Sequence, residues 1–413
     1  MNISFLFGGI ARALATPVYR NFWAGNAVSN AGRWAHRVAV GWLTWELTES
    51  EAWLGVVAFA DLFPTAVIPI FAGVFADRIG LVRLMRFTAF VSGITAALFA
   101  GLIVIDQINI IVIIVLSALI GTLEAGSGPA RITIINNLVP REDLSAAIAL
   151  NTATFNLARL IGPAIAGGLI IWTNVATAIA FNAISYAIFV LVLIRIPEVP
   201  NPRAGQVHRH MFAEIWDALR YMAFHPGIRI IMIMILGTAF LIRPVIELLP
   251  GFAVEVFGRG PGGLSTLLSS MGFGAAISGL WLARRGETAG LTRMTVWAFL
   301  VTAIALLAFA ATQIFWIGVA AIVAVGFFLL AGGISSQALV QNVVEPEYRA
   351  RVLSLYLAAS FGLPSVGALA MGFIASETGL QITLGAGALM AVLIWFWARP
   401  IAGRAAAGLE RHG

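Results

Sequence analysis

Runs of about 20 or more mainly apolar residues alternate along this chain with short polar links. A bilayer core about 30 Å thick needs a helix of about that length to cross it, so each run reads as a membrane span. Twelve are expected, at residues 20–46, 52–76, 84–105, 109–133, 144–172, 176–196, 226–250, 262–283, 291–311, 315–341, 350–375 and 380–398. The longest polar interruption, 197–225, divides them six and six. Its second part, Met211 to Met222, alternates apolar and charged residues at helical spacing. Two forms fit it equally: an amphipathic helix on the membrane surface, or an ordinary lead into the seventh span. The expected fold is therefore all-α integral membrane, with a bundle of six helices at 1–196, a linker at 197–225 and a second bundle at 226–413.

Composition supports this and narrows it. The chain is 60% hydrophobic and 11% charged, with mean hydropathy +0.94, whereas soluble domains carry about 25% charged residues. All 25 basic residues are arginine. With the N-terminus in the cytoplasm, 19 of them lie in or beside cytoplasmic segments (25 minus Arg33, Arg37, Arg131, Arg159 and Arg243 inside spans, minus Arg259 outside). That asymmetry sets both termini in the cytoplasm. The net charge of +6 is then loop charge facing membrane lipids, and no nucleic-acid partner is expected. The first apolar run, flanked by Arg12 and Arg20, continues into a full span and lacks the form of a cleavable signal. Cysteine is absent, which excludes disulfides and thiolate metal sites. No Walker loop, metal-ligand spacing or nucleophile arrangement is present, so neither an enzyme nor a cofactor is expected.

The halves repeat. Asn137 to Leu144 aligns with Asn342 to Arg349 at an offset of 205 residues, which also sets Leu150 on Leu355, Gly162 on Gly367 and Gly167 on Gly372. Between the second and third spans runs Gly73-x-x-x-Asp77-Arg78-x-Gly80, followed by Arg83. This stretch resembles the signature loop of the major facilitator superfamily, although Leu81 and Val82 stand where a basic pair is usual. A narrower resemblance is to the branch with the enterobactin exporter, the macrolide efflux proteins and other bacterial secretion transporters. It is carried by Asn21-Phe-Trp through Gly41 to Ser50, Gly128 to Arg131, Leu138 to Leu144 and Arg159 to Pro163. The resemblance implies a transporter working by alternating access between two parallel six-helix halves. It also implies Asp77 and Arg78, with Arg83, as a cytoplasmic latch. In the fifth span, Gly162 allows close packing and Pro163 a kink; packing and a gating hinge both fit.

Charges at membrane depth are costly and mark a pathway or a partner. Counting about 1.5 Å per residue from the outer ends sets Arg37 and Asp61 level on adjacent spans, about 13 Å deep. It sets Arg33, Glu124 and Arg159 about 20 Å deep, near the midplane. Arg131, seven residues below Glu124, falls near the cytoplasmic surface as an inner-gate residue. His36 stands beside Arg37 as a core residue. In the second half, Gln337, Gln341, Tyr356 and Ser360 are cavity candidates against an otherwise apolar, aromatic wall. Arg243 and Glu247, four apart beside Pro244, form a local pair near the outer side.

Arg33, Arg37 and Arg159 against Asp61 and Glu124 leave a net positive set that suits an anion, with the two acids as proton-coupling candidates. A structural ion-pair network fits the same residues. Together with the resemblance, this makes proton-coupled export of an amphipathic small organic molecule (siderophore or drug) the leading expectation, driven by the proton motive force. The protein would act as a monomer in the bacterial inner membrane. Uptake of an organic anion or lipid-derived substrate is the alternative, and a non-transporting sensor or scaffold the alternative of another class.

Overall fold

The computed structural model describes residues 3–69, 79–199, 211–285 and 290–410, and the regular elements among them are all helical. Eleven helices of the described residues are long and apolar enough to cross a membrane, from Glu51–Pro69 to Leu380–Ala406. The first expected span is the helix Pro17–Thr48, of 32 residues. It has the length but not the composition, because Asn26, Ser29, Asn30, Arg33 and Arg37 interrupt its apolar character. Apolar side chains turn outward as well as inward. On the helix Leu81–Val104, Phe87, Phe90, Ile94 and Leu98 form an exposed stripe at helical spacing, the face suited to lipid.

The chain groups into two compact units. The first holds Met1–Leu47 and Val67–Gln206, and the second Thr48–Ala66 and Val207–Gly413. The helix Glu51–Leu62, first-half in sequence order, packs along Pro364–Thr378 in the second unit. Gly55 there faces the Ala368 carbonyl and Gly372 the Glu51 carbonyl. A helix Ile3–Ala15 that the hydrophobic pattern does not foretell precedes the first span. It is tied to the start of the helix Leu144–Trp172 by Arg12 Nε on Asp143 Oδ1 at 2.8 Å. The segment Met211–Phe224 is a helix whose Ala218 and Met222 join the second unit's core beside Ile228, Val352 and Tyr356.

Each unit repeats two packing solutions. In the first unit, Gly162 lies so close to the helix Pro17–Thr48 that a Cβ there would meet Trp34 Cβ at 2.4 Å and the Ala31 carbonyl at 3.2 Å. In the second, a Cβ on Gly367 would meet the Ala239 carbonyl at 2.7 Å. The second solution is a carboxylate at a helix N-terminus. Glu198 accepts from the N–H groups of Val82 and Arg83 at 3.0 and 3.2 Å, and Glu410 from those of Gly290 and Thr292 at 2.9 and 3.0 Å. Such caps satisfy donors that a helix leaves open and complement its dipole. Gly80, at φ +96°, makes room for the first cap, since a Cβ there would lie 2.5 Å from Glu198 Oε1.

The unusual Leu81 and Val82 now have a physical reason. They are 2% and 0% exposed, packed with Tyr19, Phe22, Met85 and Ile134. A basic pair at those positions would bury charge.

Candidate functional site

The first unit holds a buried ion network built on three helices. Glu124, on the helix Ile110–Thr133, accepts from Arg33 Nε at 3.0 Å, Arg131 Nη2 at 3.2 Å and the Tyr186 hydroxyl at 2.7 Å. Arg131 donates further to Asn26 Oδ1 at 3.1 Å and Ser29 Oγ at 3.5 Å, and its guanidinium lies 4.6 Å over the Phe189 ring. Asn26 passes the chain of bonds to Asn151 Oδ1 at 2.9 Å. Two guanidinium groups therefore share one carboxylate, a set of net charge +1.

The sequence sets these groups on facing stripes. Asn26, Ser29, Asn30 and Arg33 recur at the spacing i, i+3, i+4, i+7 on Pro17–Thr48, and Asn182, Ser185, Tyr186 and Phe189 do so on Val175–Ile194. Residues so spaced share one helix face. This polar periodicity is the signal that reveals Tyr186, Asn26 and Ser29, none of which the count of charges singles out.

Arg33 and Glu124, expected at one depth, are paired. Arg131, expected near the cytoplasmic surface as an inner-gate residue, is buried, and its long side chain spans two helical turns to reach Glu124. Arg37 and Arg159 lie on Trp34, 5.2 and 5.6 Å from its ring centroid, and Phe155 meets the same ring edge-on at 6.1 Å. His36 is buried edge-on to Phe99 at 5.6 Å. Asp61 is half-buried on Glu51–Leu62 in the second unit. Of the latch residues, Asp77 and Arg78 lie outside the described residues. Arg83 is exposed, with Nε 3.7 Å from Glu198 Oε2. Pro163 is buried beside Gly162.

The second unit is less apolar than expected. The seventh span runs to Val256, six residues past its expected end (256 minus 250), because a π-helical turn at Phe252–Val256 carries the helix on. Arg243 stands thirteen residues before the end of that helical run (256 minus 243). It donates from Nη1 to the Ser360 carbonyl and lies 5.3 Å over the Phe361 ring. Tyr356 shares a hydrogen bond with Ser336 Oγ at 2.9 Å and donates to the Gly333 carbonyl at 3.0 Å. Gln337 is half-buried and Gln341 exposed on the same helix, Phe315–Val343. Among the described residues no group of His, Cys, Asp and Glu could hold a metal.

Comparison with known proteins gives a consistent picture. A family model described as transmembrane secretion effector matches residues 10–404. The staphyloferrin A transporter of Staphylococcus aureus is 26% identical over 365 residues, 85% of this chain and 88% of that protein. The multidrug efflux pump Tap of Mycolicibacterium fortuitum is 24% identical over 89% of this chain and 91% of its own length. The putative bacilysin exporter BacE of Bacillus subtilis is 24% identical over 77% and 79%. Among solved structures, the nucleoside transporter NupG superposes with a TM-score of 0.70 at 14% identity, covering 93% of this chain and 99% of that one. A POT family transporter in complex with 5-aminolevulinic acid reaches 0.73 at 12% identity, over 94% and 96%. These two likenesses establish the fold.

Proposed function

Since this chain belongs to the transmembrane secretion effector family of major facilitator transporters, we propose that it exports an amphipathic small organic molecule of the siderophore or drug class. Export runs across the bacterial inner membrane, with both termini in the cytoplasm. The direction is taken from the relatives, among them a multidrug efflux pump and a putative bacilysin exporter. The observation that carries the site is the buried Glu124–Arg131 pair with the half-buried Arg33 beside it. Ion pairs at membrane depth that are shared among helices are the elements a transported charge can rearrange.

The shared carboxylate ties the charge of the substrate to the energy source. A cationic or neutral substrate that approaches Glu124 competes with a proton there, and competition at one site is the condition for exchange. An anion that takes Arg33 and Arg131 does the opposite, because it removes the partners that keep Glu124 ionised and so favours a bound proton. Proton exchange therefore suits a cation or neutral compound. An anion is instead drawn out by the electrical part of the proton motive force, at about 2.3 kcal/mol per charge per 100 mV. The sharing of one carboxylate by two arginines, which lets an anion and a proton be held together, is what favours the second reading, uptake of an anion with a proton.

Transport in vesicles of defined orientation separates the two. Inverted vesicles energised with a pH gradient and a membrane potential should accumulate ethidium, a cationic test compound, or carboxyfluorescein, an anionic one. Accumulation confined to right-side-out vesicles overturns export. Unchanged flux of both dyes in Arg33→Ala and Glu124→Gln overturns the site.

A further inference from the structure

The second unit contains a pair of broken helices built to one pattern. In the seventh span a π-helical turn, Thr238–Ile242, is followed by Arg243 and then Pro244. In the eleventh, a π-helical turn, Ala358–Gly362, is followed by Leu363 and then Pro364. In both, the residue before proline donates five residues back, Arg243 to the Thr238 carbonyl at 2.9 Å and Leu363 to the Ala358 carbonyl at 3.2 Å. Proline has no N–H, so Pro364 offers nothing to the carbonyl of Ser360 four residues earlier. That carbonyl is the one Arg243 holds.

Two further facts meet at Arg243. The Phe361 ring covers its guanidinium, and the Tyr356 hydroxyl lies alongside, within reach of Ser360 and the Arg243 charge. A guanidinium, an aromatic face and a phenol are together suited to the carboxylate end of an aromatic or amphipathic molecule.

We infer that Arg243 is the second unit's contact for the anionic group of the substrate, and that binding transfers its guanidinium from the Ser360 carbonyl to that group. A carboxylate makes a stronger, charge-assisted partner than a neutral carbonyl, so the exchange runs toward the substrate. It leaves the Ser360 carbonyl without its strap at a proline break, and the eleventh span free to bend there. No covalent bond changes. This inference rests on the exporter reading and names the pole of the substrate that the second unit receives.

Anisotropy titrations of carboxyfluorescein with purified protein, with ethidium as the comparison, test it. Arg243→Gln should weaken carboxyfluorescein about tenfold or more and leave ethidium within about twofold. Arg243→Lys, which keeps the charge but loses the fork, should lie between. Pro364→Ala should move affinity the other way. The restored N–H at position 364 satisfies the Ser360 carbonyl, releases Arg243 and tightens carboxyfluorescein several-fold, a gain that a merely structural arginine would not produce. Equal loss of both dyes in Arg243→Gln and Arg243→Lys overturns the inference, as does unchanged carboxyfluorescein binding in Arg243→Gln or weakened binding in Pro364→Ala. If the wild-type protein binds ethidium and not carboxyfluorescein, the anion site falls while export stands. If it accumulates neither dye in inverted vesicles, the exporter reading itself falls.

Discussion

The two units solve the pairing of an arginine inside a span differently. In the first, Arg33 and Arg131 share one carboxylate: Glu124, itself held by Tyr186, ties three helices together. In the second, Arg243 is matched to a backbone carbonyl that a proline has left open, between two spans that each carry a π-helical turn. A closed ionic knot resists deformation, because removing one partner strands a buried charge. A proline break bridged by a guanidinium on a backbone carbonyl leaves no buried carboxylate behind when it opens. The comparison teaches that the first unit is the stiffer frame and the second the one built to bend. Each prediction below bears on that contrast.

The largest effect should come from the knot. Glu124→Gln leaves Arg33 and Arg131 without their carboxylate, and breaking a buried pair costs about 3–5 kcal/mol. The twelve tryptophans report unfolding directly, and the midpoint in detergent should fall well below that of Arg243→Gln. A midpoint for Glu124→Gln equal to the wild type would mean that the frame does not depend on this pair.

Next come the glycine crossings. A methyl at position 162 would sit 2.4 Å from Trp34 Cβ, and one at 367 would sit 2.7 Å from the Ala239 carbonyl. Neither neighbour is the loose end of a flexible side chain. Overpacking of this kind costs about 1–3 kcal/mol. Gly162→Ala should show the full cost as lost stability, whereas Gly367→Ala, beside a deformable π-helical turn, should lose less. Gly168 has nothing within 4 Å, so Gly168→Ala should gain up to about 1 kcal/mol from helix propensity. The three unfolding midpoints rank these variants, and Gly367→Ala falling furthest would reverse the assignment of stiff and soft units.

Much of this was legible in the sequence. The apolar runs and arginine asymmetry pointed to twelve spans. The depth count brought Arg33 and Glu124 together because a helix converts residue number into depth almost linearly. The pairing of Arg131 with Glu124 was not legible, because a long side chain spans two turns of separation. Nor was the end of the seventh span, which a π-helical turn carries on to Val256. Tyr186 and Asn26 were readable only as a polar stripe on an apolar helix, a pattern that counting charges passes over. That Leu81 and Val82 replace a basic pair was plain. That they do so because they are core residues needed the packing.

Tyr186→Phe is a smaller probe of the knot. It removes one of the donors to Glu124 while leaving both arginines, and a hydrogen bond to a charged group contributes about 1–2 kcal/mol. The variant should unfold between the wild type and Glu124→Gln, and it should keep carboxyfluorescein binding within about twofold. A loss as large as that of Glu124→Gln would show that the phenol, and not the arginines, holds the frame.

The smallest effects should come from the paired caps, which compare the units where their solutions are alike. Glu198→Gln and Glu410→Gln each keep an acceptor oxygen and lose the charge at a helix N-terminus, a change of about 0.5–1 kcal/mol or less. The two should therefore fall together in unfolding midpoint, unlike every pair above. Glu410 adds a pH signature. Partial burial works to raise its pKa, but the Gly290 and Thr292 N–H groups, the Thr292 hydroxyl and the Arg285 charge outweigh it and hold the carboxyl below the usual value. A depressed carboxyl stabilises the fold fully above its ordinary range and loses that contribution only as pH falls through the lowered value. Unfolding midpoints of wild type and Glu410→Gln should thus differ by a constant amount from neutral pH down to the ordinary carboxylate range, and converge below it. A gap that already closes near neutral pH would locate the titrating group elsewhere and remove the cap from the comparison.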